Sequence, residues 1–333
     1  MKPEVSVILP AYNSERYINK AIQSLLQQTY RNFEVILVDD GSTDSTASIA
    51  ANLADNRFKI VRKSQNQGVA AARNCALKMA KGNWIALLDS DDWYAPERLQ
   101  KLLDIAQSYD ADLVADDLFL IGDRARAPWS TLFTENKYDR NSINSLDTVG
   151  FIETDRPSNN ICQRNWSLGY TKPLIKRQFL LDYNIQYDET LKVGEDFVFY
   201  LQCLINGGRF FLVSQPYYYY RNRAASLSIR PWSEYLNESC RIVSNLIETE
   251  ELIRSNPTLV MALSKNLVVL EKRISYYRAV KSIEDRNFWQ SCKTLFGEPD
   301  LVIYLTIKSI DLCQQKLKRL ISDNIEIITV SID

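Results

Sequence analysis

Three carboxylates fall within four positions of the stretch Leu88-Asp89-Ser90-Asp91-Asp92-Trp93, directly after the apolar run Trp84–Leu88. Like charges this close repel, and the first basic residue that follows them is Arg98. Two acids separated by one residue on extended backbone face the same side. Asp89 and Asp91 are therefore suited to sharing a hard divalent cation, Mg²⁺ or Mn²⁺, through oxygen ligands. Such an ion is usually held by one or two carboxylates and completes its shell with water and phosphate oxygens. The expected chemistry is thus that of a metal acting together with a phosphorylated ligand. Asp92 taken alone reads as a capping acid ahead of the helix that Pro96 opens.

Other chemistries are excluded by composition. The 333 residues include no histidine, which removes Ser-His-Asp and Cys-His triads, His-liganded zinc and imidazole as a general base. The six cysteines form no CxxC pair and read as reduced, mostly buried thiols. A net charge of −1 offers no basic footprint for nucleic acid. With 46% hydrophobic and 24% charged residues the chain is globular with a sizeable core.

The elements that must position the acids follow from periodicity. Strands are expected at Val5–Leu9, Phe33–Val38, Phe58–Arg62, Trp84–Leu88 and Asp112–Ile121. They alternate with helices capped by Ser14, opened near Asp44, spanning Val69–Ala80 with Gly82 just past its end, and spanning Glu97–Ser108. This alternation predicts βαβ units and an α/β fold with a mostly parallel sheet covered by helices on both faces. Ligands of such sheets sit beyond the carboxyl ends of the strands. That rim would carry Pro10-Ala11-Tyr12-Asn13, Asp39-Asp40 and Asp89–Asp92. Beyond residue 121 the pattern loosens, and Gly194-Glu195-Asp196 opens a further helix. The chain reads as mainly helical from about 231 onward.

Four stretches occur in order at family spacing: VSVILPAYN from Val5, VDDGSTD from Val38, GVAAARN from Gly68 and LDSDD from Leu88. Together they resemble the N-terminal half of family 2 glycosyltransferases, an inverting group with a GT-A fold. Gly194-Glu195-Asp196-Phe197 is similar to the family's Glu-Asp pair. Tyr217–Arg221 with Ser226-Leu227-Ser228 is similar to a substrate-side loop. The nearest subgroup is the bacterial exopolysaccharide-assembly transferases.

The resemblance implies a donor-binding half at 1–121, an acceptor-side half at 122–230 and a helical extension at 231–333. It implies that Pro10, Ala11 and Tyr12 line a nucleobase slot and that Asp40 accepts a hydrogen bond from the base, uracil N3–H. Arg73 would lie near base or diphosphate, Asp89 at the ribose or sugar, and Asp91 on the metal. Asp196 would be the catalytic base, with Glu195 beside it. The family often has a histidine near the Tyr-Arg segment; here Arg221 or Arg223 would stand in its place at the diphosphate. The implied reaction moves a sugar from a nucleotide sugar, UDP-linked, to the hydroxyl of a saccharide or lipid-linked acceptor.

Each residue also has a plainer role. Tyr12 is a strand-end aromatic, Arg73 a solvent-facing helix residue, and Glu195 and Asp196 are acids favoured by a helix dipole. Two other functions compete: a catalytically silent nucleotide-sugar-binding protein and a sugar nucleotidyltransferase. The latter usually shows a Gly-rich phosphate loop after the first strand, where this chain has Pro-Ala-Tyr-Asn-Ser. A cytoplasmic protein is expected. The amphipathic segment 301–321, with its clustered cations, is a candidate for contact with the inner face of a membrane.

Overall fold

The computed structural model describes residues 2–136, 138, 143–156, 166–223 and 232–284. The Ser226–Ser228 stretch and the segment 301–321 lie outside the described residues. The chain divides into two compact units, one formed by Met1–Pro231 with Glu238–Leu270, the other by Trp232–Asn237 with Glu271–Asp333. Every residue of the candidate site belongs to the first. Among the described residues no helix is long and apolar enough to cross a membrane.

The first half alternates as its periodicity dictates: β1 (Val5–Ala11), α1 (Ile18–Leu26), β2 (Phe33–Asp39), α2 (Thr46–Leu53), β3 (Phe58–Arg62), α3 (Val69–Met79), β4 (Trp84–Leu87), β5 (Trp93–Tyr94), α4 (Arg98–Ser108) and β6 (Leu113–Gly122). The second half adds β7 (Ser130–Thr131), α5 (Leu132–Asn136), β8 (Ile143–Leu146), α6 (Thr148–Asp155), β9 (Leu174–Lys176), α7 (Arg177–Asp182), α8 (Glu195–Ile205) and β10 (Phe210–Asn222). The helices α9 (Trp232–Thr249), α10 (Glu251–Arg254) and α11 (Pro257–Glu284) complete the described chain.

One sheet runs in the order β3-β2-β1-β4-β9-β6-β10-β5. β1, β2, β3 and β4 pair in parallel, as do β6 and β10. The short β9 is inserted between β4 and β6 and runs antiparallel to both. β1 is buried along its whole length, the continuous apolar run required of a strand covered on both faces.

Several local expectations are corrected. Ser14 does not cap α1, which starts at Ile18; its hydroxyl instead meets that of Ser90 at 2.7 Å, tying the end of β1 to the acidic loop. Gly82 is not a helix terminator, since α3 ends at Met79. A Cβ there would lie 2.5 Å from the Ser6 amide nitrogen, so glycine is required by close backbone approach. The tyrosines from Tyr217 onward lie not in a loop but within β10. Its register slips around Pro216, which has no N–H to offer the ladder, and the displaced Tyr217 amide donates to Asp116 at 3.0 Å.

Asp117, next to it on β6, is buried and accepts from the Leu118 and Phe133 amides. Burial pushes its carboxyl up from 3.8 to about 6. A raised folded-state value means that the native protein binds the proton more tightly than the unfolded chain. The contribution of Asp117 to stability is therefore lowest above pH 6, rises as pH falls from about 6 to about 4, and gains nothing further below that. Asp117→Asn is expected to flatten this limb, which amounts to at most about 3 kcal/mol. Urea titrations of both proteins at pH 7.5 and 4.5 test this; parallel pH dependence would show that Asp117 is not responsible.

Candidate active site

The sheet brings three strand ends to one rim. At the end of β1, Pro10 and Ala11 are buried while Tyr12 is 45% exposed, its ring free to meet a planar ligand. Asn13 takes a left-handed conformation, φ 47°, which its residue type tolerates. Its amide donates to Ser42 Oγ, and its side-chain oxygen accepts from the Thr43 amide. The ends of β1 and β2 are thus fastened together behind Tyr12. Asp40 accepts from Lys63 Nζ at 2.9 Å and from the Gln67 and Gly68 amides at 3.0 and 2.8 Å. Its carboxylate fixes the turn that opens α3. Any further N–H that reaches Asp40 must share an oxygen with one of these donors, which the two lone pairs of a carboxylate oxygen permit.

The acidic stretch does not continue β4. It forms a turn closed by the Asp92 amide on the Asp89 carbonyl at 3.1 Å, so the alternation that would aim Asp89 and Asp91 at one ion does not hold. The two carboxylates meet different cations, none of them near in sequence. Asp89 pairs with Arg73 at 2.8 Å and with Lys172 at 3.2 Å. Asp91 pairs with Arg223 at 2.6 Å. Burial would raise the Asp89 carboxyl, but Lys172 and Arg73 outweigh it and hold it below the usual range. Burial raises the Asp91 carboxyl, with Arg223 opposing.

Asp92 is not a helix cap: α4 starts at Arg98, and the Asp92 side chain points into the protein. It accepts from the Tyr218 hydroxyl and the Arg221 amide, both at 2.7 Å. Burial pushes it well above the ordinary carboxylate value, with Asp91 and Asp89 adding to the effect. Arg221 is occupied structurally, donating to the Asp91 carbonyl and stacking 4.9 Å from Trp93 and 5.1 Å from Tyr17. Of the two arginines offered in place of a histidine, Arg223 is the one whose guanidinium reaches a carboxylate of the turn.

On the opposite side stand Glu195 and Asp196, the first residues of α8, after Gly194 in the left-handed conformation. Neither points to solvent as a dipole-satisfying acid would. Asp196 Oδ1 accepts from Arg73 Nη1 at 2.8 Å and from the Tyr187 hydroxyl at 3.2 Å, and Oδ2 accepts from Lys172 Nζ at 2.7 Å. Glu195 meets Arg73 at 3.2 Å, and burial followed by Asp196 raises its carboxyl. Arg73, expected on a solvent-facing helix surface in its plainer role, is buried at 2% exposure. It joins Asp89 of the acidic turn to Glu195 and Asp196 of α8. Burial would weaken the Lys172 ammonium, but Asp196 and Asp89 outweigh it and hold it above its ordinary value.

A divalent ion must fit this donor set. Among the described residues no three acids or cysteines converge as a closed protein cage. Asp91, whose side-chain partner among the described residues is Arg223, offers a carboxylate that suits an ion completed by water and diphosphate oxygens. Lys172 and Tyr187 are the site residues that the sequence does not reveal. Neither belongs to a charged or aromatic cluster that would single it out.

Comparison with known proteins converges on one family. The family model for glycosyl transferase family 2 matches residues 6–172. Succinoglycan biosynthesis protein ExoO of Rhizobium meliloti (strain 1021) is 34% identical over 226 residues, 68% of this chain and 63% of that protein. The chain therefore spans less than two thirds of that relative's length. The crystal structure of S. aureus TarS 1–349 in complex with UDP-GlcNAc superposes with a TM-score of 0.63 at 23% identity, over 91% of this chain and 81% of that one. The mannosyltransferase PcManGT of Pyrobaculum calidifontis, in complex with GDP-Man and Mn²⁺, gives 0.56 at 16% identity, over 94% and 81%. At these identities the two structures establish a shared fold, a mostly parallel sheet of GT-A type with helices and a helical C-terminal region. Strand ends, the α8 acids and a family match that runs from β1 as far as Lys172 all lead to one conclusion: the chain belongs to glycosyl transferase family 2.

Proposed function

We propose that this chain is an inverting, metal-dependent glycosyltransferase that moves a sugar from a UDP sugar to an acceptor hydroxyl in polysaccharide or glycolipid assembly. The observation that carries this reading is the Arg73 guanidinium, which touches Asp89 on the donor side and Asp196 on α8 at 2.8 Å each. The candidate base thus stands directly beside the donor-side turn. Tyr12 would cover the nucleobase, Asp40 would meet its N–H, and Asp91 would hold the ion.

Asp196 accepts the proton of the acceptor hydroxyl as that oxygen attacks the anomeric carbon. The bond from that carbon to the diphosphate oxygen breaks on the opposite face, so the configuration inverts. Asp91 would hold the ion, which would supply Lewis-acid stabilisation of the leaving diphosphate. Arg223, beside Asp91, is placed to turn from that carboxylate to the same diphosphate. The relative named for succinoglycan biosynthesis supports a saccharide acceptor, free or carried on a lipid in this reading.

A panel of UDP-glucose, UDP-galactose, UDP-GlcNAc and GDP-mannose, each with Mn²⁺ or EDTA, tests the reading through nucleotide release without acceptor. Metal-dependent hydrolysis of one UDP sugar is expected; absence of both hydrolysis and Mn²⁺-dependent UDP binding overturns it. Asp91→Asn, which keeps shape and removes charge, is expected to lower Mn²⁺-dependent UDP affinity at least tenfold by calorimetry. Unchanged affinity would place the ion elsewhere.

A further inference from the structure

The four charged groups between β4 and α8 form a closed ring. Arg73 Nη2 meets Asp89 Oδ1 at 2.8 Å, and Arg73 Nη1 meets Asp196 Oδ1 at 2.8 Å. Lys172 Nζ meets Asp196 Oδ2 at 2.7 Å and Asp89 Oδ2 at 3.2 Å. Both oxygens of both carboxylates are taken, one by each cation. The cations are buried, at 2% and 4% exposure, while the carboxylates are partly open. Arg73 approaches from α3 and Lys172 from the segment before β9. The separation of Asp89 and Asp196 is thus spanned by two buried cations, one on a helix and one on the connection into β9.

Lys172 is itself held on every side. Its carbonyl accepts from Arg98 Nη2, and the carbonyl of Thr171 accepts from the Tyr200 hydroxyl at 3.1 Å. Pro173 restricts it to extended backbone. The third of its ammonium protons is the only one that the two carboxylates leave unused. Such a lysine remains charged and has no part in proton abstraction, but it sets where the abstracting oxygen stands.

We propose that Lys172 is a positioning residue for the transfer step, holding the base Asp196 at a fixed distance from the donor-side Asp89. The proposal rests on the reading of Asp196 as base. Removing the ammonium leaves two carboxylate oxygens facing each other with no cation between them, and they separate. A displacement of about 1 Å in a reacting group lowers turnover by about 10²-fold. Asp89, which would meet the ribose or sugar, loses its contact with Lys172 but keeps its pair with Arg73 at 2.8 Å. Asp40 and Asp91, which would meet the base and the ion, pair with Lys63 and Arg223 instead.

The test uses the intact chain and the nucleotide sugar that it hydrolyses fastest. Lys172→Met is expected to lower kcat about 100-fold while Mn²⁺-dependent affinity for UDP, read by calorimetry, stays within threefold. Lys172→Ala is expected to regain at least tenfold of its lost turnover in ethylammonium, which refills the cavity with a cation, and to gain nothing from ethanol, a neutral additive of similar size. Asp196→Asn is measured in parallel. If Asp196→Asn is inactive and Lys172→Met turns over normally, the positioning role falls and the base stands. If Asp196→Asn is active, the base assignment falls whatever Lys172→Met does. A kcat loss in Lys172→Met with no ethylammonium rescue of Lys172→Ala overturns the positioning role. Unfolding of Lys172→Met passes the test to Lys172→Gln, for which the same kcat split is expected; unfolding of both assigns the residue to stability and overturns the proposal.

Discussion

Asp196→Asn is expected to lower sugar transfer about 10³-fold while nucleotide affinity stays within about threefold. The substitution keeps the side chain's shape and its place at the head of α8, but removes the negative oxygen that would take the acceptor proton. Asp196 lies beside Arg73, Lys172 and Tyr187, so an amide must turn its NH₂ towards one of the two cations. A stability loss of about 1–3 kcal/mol accompanies that mismatch, and thermal unfolding reads it separately from turnover. The remaining pairs of Arg73 and Lys172 with Asp89 keep the rim together. Nucleotide release, product formation and UDP calorimetry on one preparation therefore separate base chemistry from folding. Transfer and UDP binding lost in equal measure would return Asp196 to a structural role.

The residues of this site divide sharply by whether their partners are near in sequence. β1 to β4 and their helices were legible because each strand is a short run rich in apolar residues bounded by turn residues, and each helix has one apolar face. β3 falls at Phe58–Arg62 as the pattern predicts. The rim residues Tyr12, Asp40, Asp89 and Asp91 follow from the parallel topology alone. Their charge balance does not. The acids look uncompensated in the sequence because Arg73 precedes them by a helix and Lys172 and Arg223 follow in the second half of the chain. Only tertiary structure brings these cations to Asp89 and Asp91.

The sequence reads as a strand near Arg209–Val213, which is the start of β10, but the continuation of β10 to Asn222 was hidden for a different reason. Gln215-Pro216 interrupts its apolar run, and proline argues against a central strand. The protein accommodates the break with a bulge and returns to the sheet so that Tyr218 and Tyr219 pair with β5. The four tyrosines then divide as extended backbone requires. Tyr218 and Tyr220 are buried, while Tyr219 stacks on Trp93 at 4.9 Å. Asp116 was equally opaque, since the adjacent acids Asp116 and Asp117 in a strand show nothing of a guanidinium that reaches one of them from another element.

That guanidinium belongs to Arg98, whose replacement carries the largest expected effect on stability. The side chains of Arg98 and Asp116 are both at 0% exposure and meet at 2.7 Å. The guanidinium also lies 4.3 Å from the ring of Tyr94 and 5.1 Å from that of Tyr218. Arg98→Met leaves Asp116 buried without its cation, which costs about 3–5 kcal/mol. Against a typical stability of about 5–15 kcal/mol, this amounts to a fall in Tm of about 10 °C, measurable by calorimetry. In Arg98→Met/Asp116→Leu both charges are gone, and most of the lost stability is expected to return, less the hydrogen bond from the Tyr217 amide. Turnover is expected to stay low in the double variant, because Arg98 also holds the carbonyl of Lys172. Recovery of stability without recovery of turnover would show that this buried pair serves the ion-pair ring above it. Recovery of both would confine Arg98 to the core.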